Sequence, residues 1–206
     1  NWDAVLYLHK LWPHIKKQLP DAECHIYGAY PPPKATALSN PNRGFLVKGW
    51  ADNALDVMAQ ARVCLAPLRF GAGLKGKLLD AMIVHTPSVT TMIGSEGMHG
   101  QHSWPGHICH DQDDFIQAAV DLYQNQASWE TAQRHCQPIL HSLYDAQALG
   151  SMLIERIQTI DNTLREHRLN NFTGAMLKHH TMASTQYMSQ WIAAKNASQN
   201  NIETTN

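Results

Sequence analysis

The chain has 206 residues, 44% of them hydrophobic and 16% charged, with a formal net charge of -1. That length supports one substantial domain, or one domain with an appendage. The near-neutral balance argues against broad electrostatic capture of nucleic acid. No apolar run approaches the roughly 20 residues that span a bilayer, and no signal-peptide pattern opens the sequence.

Residues 3–18 predict a helix, because Val5, Leu8, Leu11, Trp12, Ile15 and Leu19 recur every three to four positions. Pro13 lies inside this pattern and predicts a kink, and Pro20-Asp21 ends it. The periodicity begins almost at Asn1, without an initiator Met, so the expectation is a piece of a longer chain. "CHIYGAY" (24–30) reads as a short strand, 31–42 as an irregular loop, and "GFLVKG" (44–49) as a second strand. Asp52 or Asn53 can cap a helix running to about Ala61.

"VCLAPL" (63–68) is an apolar strand without alternation, the pattern of a strand covered on both faces. A glycine-bearing turn (69–76), a helix (77–84) and strands at 87–91 and 106–109 come next. Asp111 and Asp114 have the spacing of a helix start, ahead of a helix over 112–125, and Ser128 is a candidate cap for the next. Strand and helix thus alternate to about residue 126, which points to an open, mainly parallel sheet covered by helices. Such a sheet places ligand loops at the carboxyl ends of its strands.

The remainder differs. Residues 137–160 and 174–195 predict long helices broken at Asn170-Asn171, and 196–206 predict a frayed tail. The last helix has an apolar face with few basic residues for anionic lipid, so packing on this chain or on a partner is the better reading. Cys24, Cys64, Cys109 and Cys136 form no CxxC pair and read as small buried thiols in a reducing compartment.

The central signal is "LRFGAGLKGKLLDAM" (68–82). Gly71, Gly73 and Gly76 permit positive φ and close backbone approach, so several N–H groups can face one concavity. The helix after the loop adds its positive end, Lys75 and Lys77 add point charges, and Arg69 offers a planar fork. A diphosphate needs both donors and charge. The loop lacks the Walker A order, GxxxxGK followed by Ser or Thr, and "GAGLKG" lies too deep in the alternation for a dinucleotide fingerprint. A plain tight turn with solvent-facing lysines is the competing reading of the spacing alone.

On these residues the chain resembles the C-terminal domain of a family 4 (group 1) glycosyltransferase of GT-B architecture. The resemblance runs from "NWDAVLYLHKLWPHIKKQLPDAECHIYG" through "GFLVKGWADNALDVMAQARVCLAPLRFGAGLKGKLLDAM" and "TPSVTTMIGSEGM" to "GHICHDQDDFIQAAVDLY", covering 1–126. It implies a Rossmann-like nucleotide-sugar-binding domain over 1–160, its first strand missing, and a helical extension and tail over 161–206. It implies a donor-binding role in moving a sugar from a UDP-sugar or GDP-sugar to an acceptor hydroxyl, with retention. Arg69, Gly71, Ala72, Gly73, Leu74, Lys75 and Lys77 would meet the diphosphate and sugar, with Lys75 and Lys77 catalytic. Asp80 would accept from the ribose, in place of the family's usual Glu. Gly49 and Trp50 would lie beside the base, and Glu96 on the cleft side of a "GxEG" turn.

Three departures stand out. Ala72 occupies the place of a donor-contacting Glu, so sugar contacts would fall largely to backbone. Asp80 is one methylene short of Glu. His85 occupies a position where the family usually has Gly. The implied partners are a carbohydrate or glycolipid acceptor and a missing N-terminal acceptor domain, with self-association through the C-terminal helices left open. Neither metal nor cofactor is expected, although His99, His102, His107, Cys109 and His110 cluster in sequence. The implied setting is the cytoplasm, peripheral at the inner face of the membrane. The alternative is a non-catalytic binding or assembly module on the same fold.

Overall fold

The computed structural model describes residues 2–178 and 183–203, with the side chains of 196–203 left aside. The chain divides into two compact units, Asn1–Ala146 and Gln147–Asn206, a division ahead of the boundary expected near residue 160.

The first unit opens with helix α1 (Trp2–Gln18), which runs through Pro13 and buries Leu8, Leu11, Trp12 and Ile15. Strand β1 (Cys24–Tyr27) pairs in parallel with β2 (Phe45–Gly49). The connection expected to be irregular holds a short helix α2 (Pro33–Thr36) and a 3-10 turn (Pro41–Arg43). Prolines supply the preset φ at the first position of both, and the Asn40 side chain accepts from the Arg43 amide. Helix α3 (Ala54–Ala59) is capped by Asn53, whose side chain accepts from the Leu55 amide.

Strand β3 (Cys64–Ala66), helix α4 (Gly76–Ile83), β4 (Ser88–Thr91), α5 (Met92–Ser95) and β5 (Gly106–Cys109) succeed one another, and the three strands form a second parallel sheet in the order β3-β4-β5. All five expected strands are present and divided between two sheets, four of them shorter than expected and β5 at its expected bounds. Helix α5 was not legible, because it is a single turn capped by Thr91.

Helix α6 (Gln112–Gln124) starts as the two aspartates require. Asp111 accepts from the Asp114 amide and Asp114 accepts from the His110 amide, both at 2.9 Å. Helix α7 (Gln126–Arg134) is capped by Asn125 and not Ser128, whose own amide donates to that cap at 3.2 Å. The helix expected over 137–160 is two, α8 (Cys136–Leu143) and α9 (Ala146–Asn162). The break falls at Tyr144, whose hydroxyl donates to the Met98 carbonyl at 3.0 Å and so fixes the end of α8 to the first unit.

Neighbouring strand residues point to opposite faces, and the core obeys that rule. Cys109 joins Phe45, Val89 and the inner faces of α1 and α6, among them Leu11, Trp12, Phe115 and Leu122. Ile108 packs instead with Ala66, Leu78, Met82, Met98 and Ile139, from β3, α4, the turn after α5, and α8. Helices therefore cover both faces, as expected of an α/β domain. Each fully buried Leu or Phe contributes about 1.5–3 kcal/mol. All four cysteines are free. Burial pushes the thiols of Cys24 and Cys109 up to about 12 and those of Cys64 and Cys136 up to about 11, which keeps them unreactive.

The second unit holds α9, α10 (Leu164–Asn170), α11 (Phe172–Leu177) and α12 (Ser184–Glu203). The expected break at Asn170-Asn171 is present, and the Asn171 side chain caps α11 by accepting from the Gly174 amide. The helix expected over 174–195 is divided. His179 and His180 lie outside the described residues, and α12 continues to Glu203 where fraying was expected. Among the described residues of this unit no side chain is buried.

Candidate functional site

Strand β3 leads into Pro67, and two threonines of β4 hold the backbone on either side of that proline. Thr90 Oγ1 donates to the Ala66 carbonyl at 2.9 Å, and Thr91 Oγ1 donates to the Leu68 carbonyl. A Cβ on Gly94 would lie 1.9 Å from Thr90 Oγ1, so only glycine leaves that threonine in place. The chain then swings out through exposed residues 70–74, with Gly71 at φ 152° and Gly73 at φ 70°.

Helix α4 begins at Gly76 without a side-chain cap. The Lys75 carbonyl accepts from the amides of Leu78 and Leu79 at 2.8 and 3.3 Å. Among the described residues, no amide from Gly71 through Lys77 has an acceptor. A helix start carries partial positive charge on such amides, and here the preceding loop extends the row.

Lys75 is the unexpected part. It is only 8% exposed, and its Cε lies 4.0 Å from where a Cβ on Gly71 would stand. Among the described residues its ammonium makes no hydrogen bond or ion pair. Among the described residues the fully buried side-chain polar atoms without a partner are Ser88 Oγ and Trp104 Nε1, so solvent still reaches the Lys75 ammonium. Its stem is thus packed under the glycine loop while its charge remains available.

Lys77 and Asp80 are half-buried on the first turns of α4. Both act on the thiol of Cys64 beneath them: burial dominates its upward shift, Lys77 opposes it and Asp80 adds to it. Neither lysine approaches Asp80 within ion-pair distance among the described residues, so that carboxylate is not consumed locally.

Arg69 is placed differently from the anion fork expected of it. Its Nε donates to Asp3 Oδ2 at 3.0 Å, its Nη2 donates to Asp3 Oδ1, and the guanidinium sits 4.9 Å from the Tyr7 ring centroid. It fastens the loop to the first turns of α1. Hydrogen bonding by Arg69 holds the Asp3 carboxyl below its ordinary value, against a smaller opposing effect of burial. Asp3 and Tyr7 lie more than 60 positions from Arg69, so no local pattern could have found the contact.

The remaining residues also lie at strand ends and turns. Gly49 closes β2 at φ 79° and its carbonyl accepts from the Gly28 amide at 2.8 Å. Trp50 is 68% exposed, and its Nε1 donates to Asp52 Oδ1 at 3.1 Å. Ala72 and Leu74 are exposed on the loop, and Glu96 is exposed after α5, beside Gly97 at φ 72°. His85 adopts φ 58°, the conformation its position demands. Its amide donates to Met82 and that of Thr86 to Ala81, a Schellman closure that would favour glycine. Two surface hollows, of about 420 and 370 Å³, lie along α6 away from the loop, which is itself open to solvent.

A parallel α/β domain whose glycine loop presents free amides and lysines at the carboxyl end of β3 defines the class: one half of a GT-B transferase fold. Residues 1–125 match the group 1 glycosyl transferases, and the chain belongs to that family. An uncharacterized 44.6 kDa protein in the cps region of Klebsiella pneumoniae is 25% identical over 158 residues, 73% of this chain and 41% of that protein. The chain thus spans less than half of that relative.

Two solved structures share the fold. One is S. aureus TarM, a variant in complex with Fondaparinux, alpha-GlcNAc-glycerol and UDP. It has TM-score 0.63 and 15% identity, covering 72% of this chain and 31% of TarM. The other is the pneumococcal O-GlcNAc transferase GtfA in complex with UDP and GlcNAc. It has TM-score 0.52 and 19% identity, covering 77% of this chain and 33% of GtfA.

Proposed function

We propose that this chain is the donor-binding domain of a retaining hexosyltransferase that takes its sugar from a nucleoside diphosphate sugar. The observation that carries the reading is the row of unpartnered amides from Gly71 to Lys77 above the buried, unpaired Lys75. As the glycosidic bond breaks, the leaving diphosphate gains charge. Donors fixed beforehand stabilise that charge without reorganising. Lys75 and Lys77 supply the cations. Asp80 accepts from the ribose, Gly49 and Trp50 flank the base, and Glu96 faces the cleft. Ala72 offers no carboxylate, so the sugar is held by backbone of the loop.

The UDP named with TarM and GtfA supports a uridine donor, and the cps-region relative supports a role in surface polysaccharide or glycolipid assembly. On this reading the acceptor is a carbohydrate or glycolipid held by a separate N-terminal domain. The enzyme works in the cytoplasm or at the inner membrane face, and the C-terminal helices serve self-association. Among the described residues no helix is long and apolar enough to cross a membrane.

Calorimetric titration with UDP, GDP and ADP tests the donor site. Saturable binding, lost when Lys75 and Lys77 are both changed to Gln, is expected. A folded protein that binds none of the three would favour the non-catalytic assembly module. In the intact enzyme, Lys77→Ala lowers kcat far more than it weakens donor binding, and an unchanged kcat removes the catalytic role.

A further inference from the structure

Among the described residues, His85 and Tyr30 adopt left-handed backbone without being glycine, Tyr30 at φ 53°. For His85 the closure of α4 supplies the reason. Tyr30 has no such reason. Neither its backbone nor its hydroxyl makes a hydrogen bond among the described residues. It also precedes Pro31, and the residue before a proline favours extended backbone. A bulky side chain at positive φ is an outlier, and strain of this kind collects at active sites and ligand clamps.

Exposure sharpens the point. Tyr30 is 95% exposed, the most open of the large apolar side chains among the described residues. No packing within the fold therefore offsets its strain, and its ring is left free on both faces.

The mount beneath that ring is rigid. Pro31, Pro32 and Pro33 fix φ in succession. Pro31 Cγ lies 3.9 Å from where a Cβ on Gly49 would stand, an ordinary packing distance. Gly49 closes β2 and accepts from the Gly28 amide just past the end of β1. A Cβ on Gly28 would meet nothing within 4 Å, so the backbone there is bare and open. Trp50 follows Gly49, and Asp52 holds the edge of its exposed indole.

The same segment docks on the start of α1. Lys34 Nζ lies 4.5 Å from the Trp2 ring centroid, and the neighbouring Asp3 holds Arg69 at the root of the glycine loop. Tyr30 thus shares one rim with that loop, at the carboxyl ends of β1, β2 and β3.

We propose that Tyr30 is an aromatic wall of the base pocket, stacking on the base of the nucleoside diphosphate together with Trp50. The inference rests on the glycine loop being the seat of the diphosphate. An aromatic ring on a rigid mount loses little freedom when a flat base lies on it. Every base has such a face, so Tyr30 adds affinity and leaves the choice of base to other groups.

Tyr30→Gly removes the ring and the strain together. Calorimetry on the 206-residue chain compares UDP, GDP and inorganic pyrophosphate. Both nucleotides are expected to bind the variant about 5- to 150-fold more weakly than the natural chain. Pyrophosphate should bind the two equally, and the urea midpoint should not fall. Tyr30→Phe should keep the nucleotide affinities. Tyr30→Asn, a residue that tolerates left-handed backbone, serves if the glycine variant does not fold. Nucleotide binding unchanged by loss of the ring overturns the inference and leaves the diphosphate seat standing. An equal loss for pyrophosphate, or a lowered urea midpoint, also overturns it, because Tyr30 would then support the loop or the fold. A folded natural chain that binds none of the three removes the seat and the inference with it.

Discussion

Replacing Lys75 with methionine should make the domain more stable and less able to hold a nucleoside diphosphate. Lys75 is 8% exposed and its charge has no partner among the described residues. Methionine keeps an unbranched stem of similar volume under Gly71 and removes a partly desolvated ammonium. Solvent still reaches the ammonium, so exchanging it for a packed apolar group removes only a partial desolvation cost and stabilises by no more than about 1 kcal/mol, the low end for replacing buried charges with apolar groups. For a protein of this size that is a rise of about 2–4 °C in Tm. The cost appears with ligand. One charge-assisted hydrogen bond is worth about 1.5–3 kcal/mol, or about 10- to 150-fold in Kd. At a UDP concentration 100 times the natural Kd the natural protein gains about 2.7 kcal/mol, and a variant that binds about 10- to 150-fold more weakly gains only about 1.4 to 0.3 kcal/mol. Thermal melts with and without UDP should therefore cross: the variant melts higher alone, the natural protein higher with UDP. A variant that is less stable alone and keeps the full UDP shift would refute the reasoning.

Other perturbations test the scaffold. His85→Gly relieves a left-handed residue whose closure bonds are already made. It should stabilise by about 0.5–1 kcal/mol after the entropy of the unfolded glycine is counted, read as a higher urea midpoint. Gly106→Ala puts a Cβ 1.9 Å from the Ser88 carbonyl oxygen, at φ 142°. It should cost about 3 kcal/mol or more by parting β4 from β5, seen as lost solubility or an early melt. Asp111→Ala removes the acceptor of the Asp114 amide and should cost about 1 kcal/mol in chemical denaturation. The Asp3 carboxyl is depressed below 3.8 by Arg69, so its contribution is full above that pH and lost as pH falls through the lowered value. Asp3→Asn should flatten that acid limb in pH-dependent melts.

The fold was legible where period and capping agree. Val5, Leu8, Leu11, Trp12 and Ile15 announced α1, and Asp111 with Asp114 marked the start of α6 because both carboxylates serve amides there. The division of 137–160 was not legible. Its apolar stripe continues past the break at Tyr144-Asp145, where the Tyr144 hydroxyl bonds the Met98 carbonyl, a contact that no local pattern shows. Two of the three loop glycines, Gly71 and Gly73, were readable from their φ requirement, whereas Gly76 opens α4 without a positive φ. The burial of Lys75 and the capture of Arg69 by Asp3 were not. Both depend on packing between segments far apart in sequence, and a lysine in a glycine loop reads equally well as solvated.

Everything functional rests on the amides of Gly71 through Lys77 being the seat of a diphosphate. Nuclear magnetic resonance of labelled protein during UDP addition reads those amides directly. Large, saturable shifts confined to them and to the Lys75 side chain are predicted, with inorganic pyrophosphate reproducing most of the pattern. Unmoved loop resonances while UDP binds elsewhere, or does not bind a folded protein at all, would contradict the account.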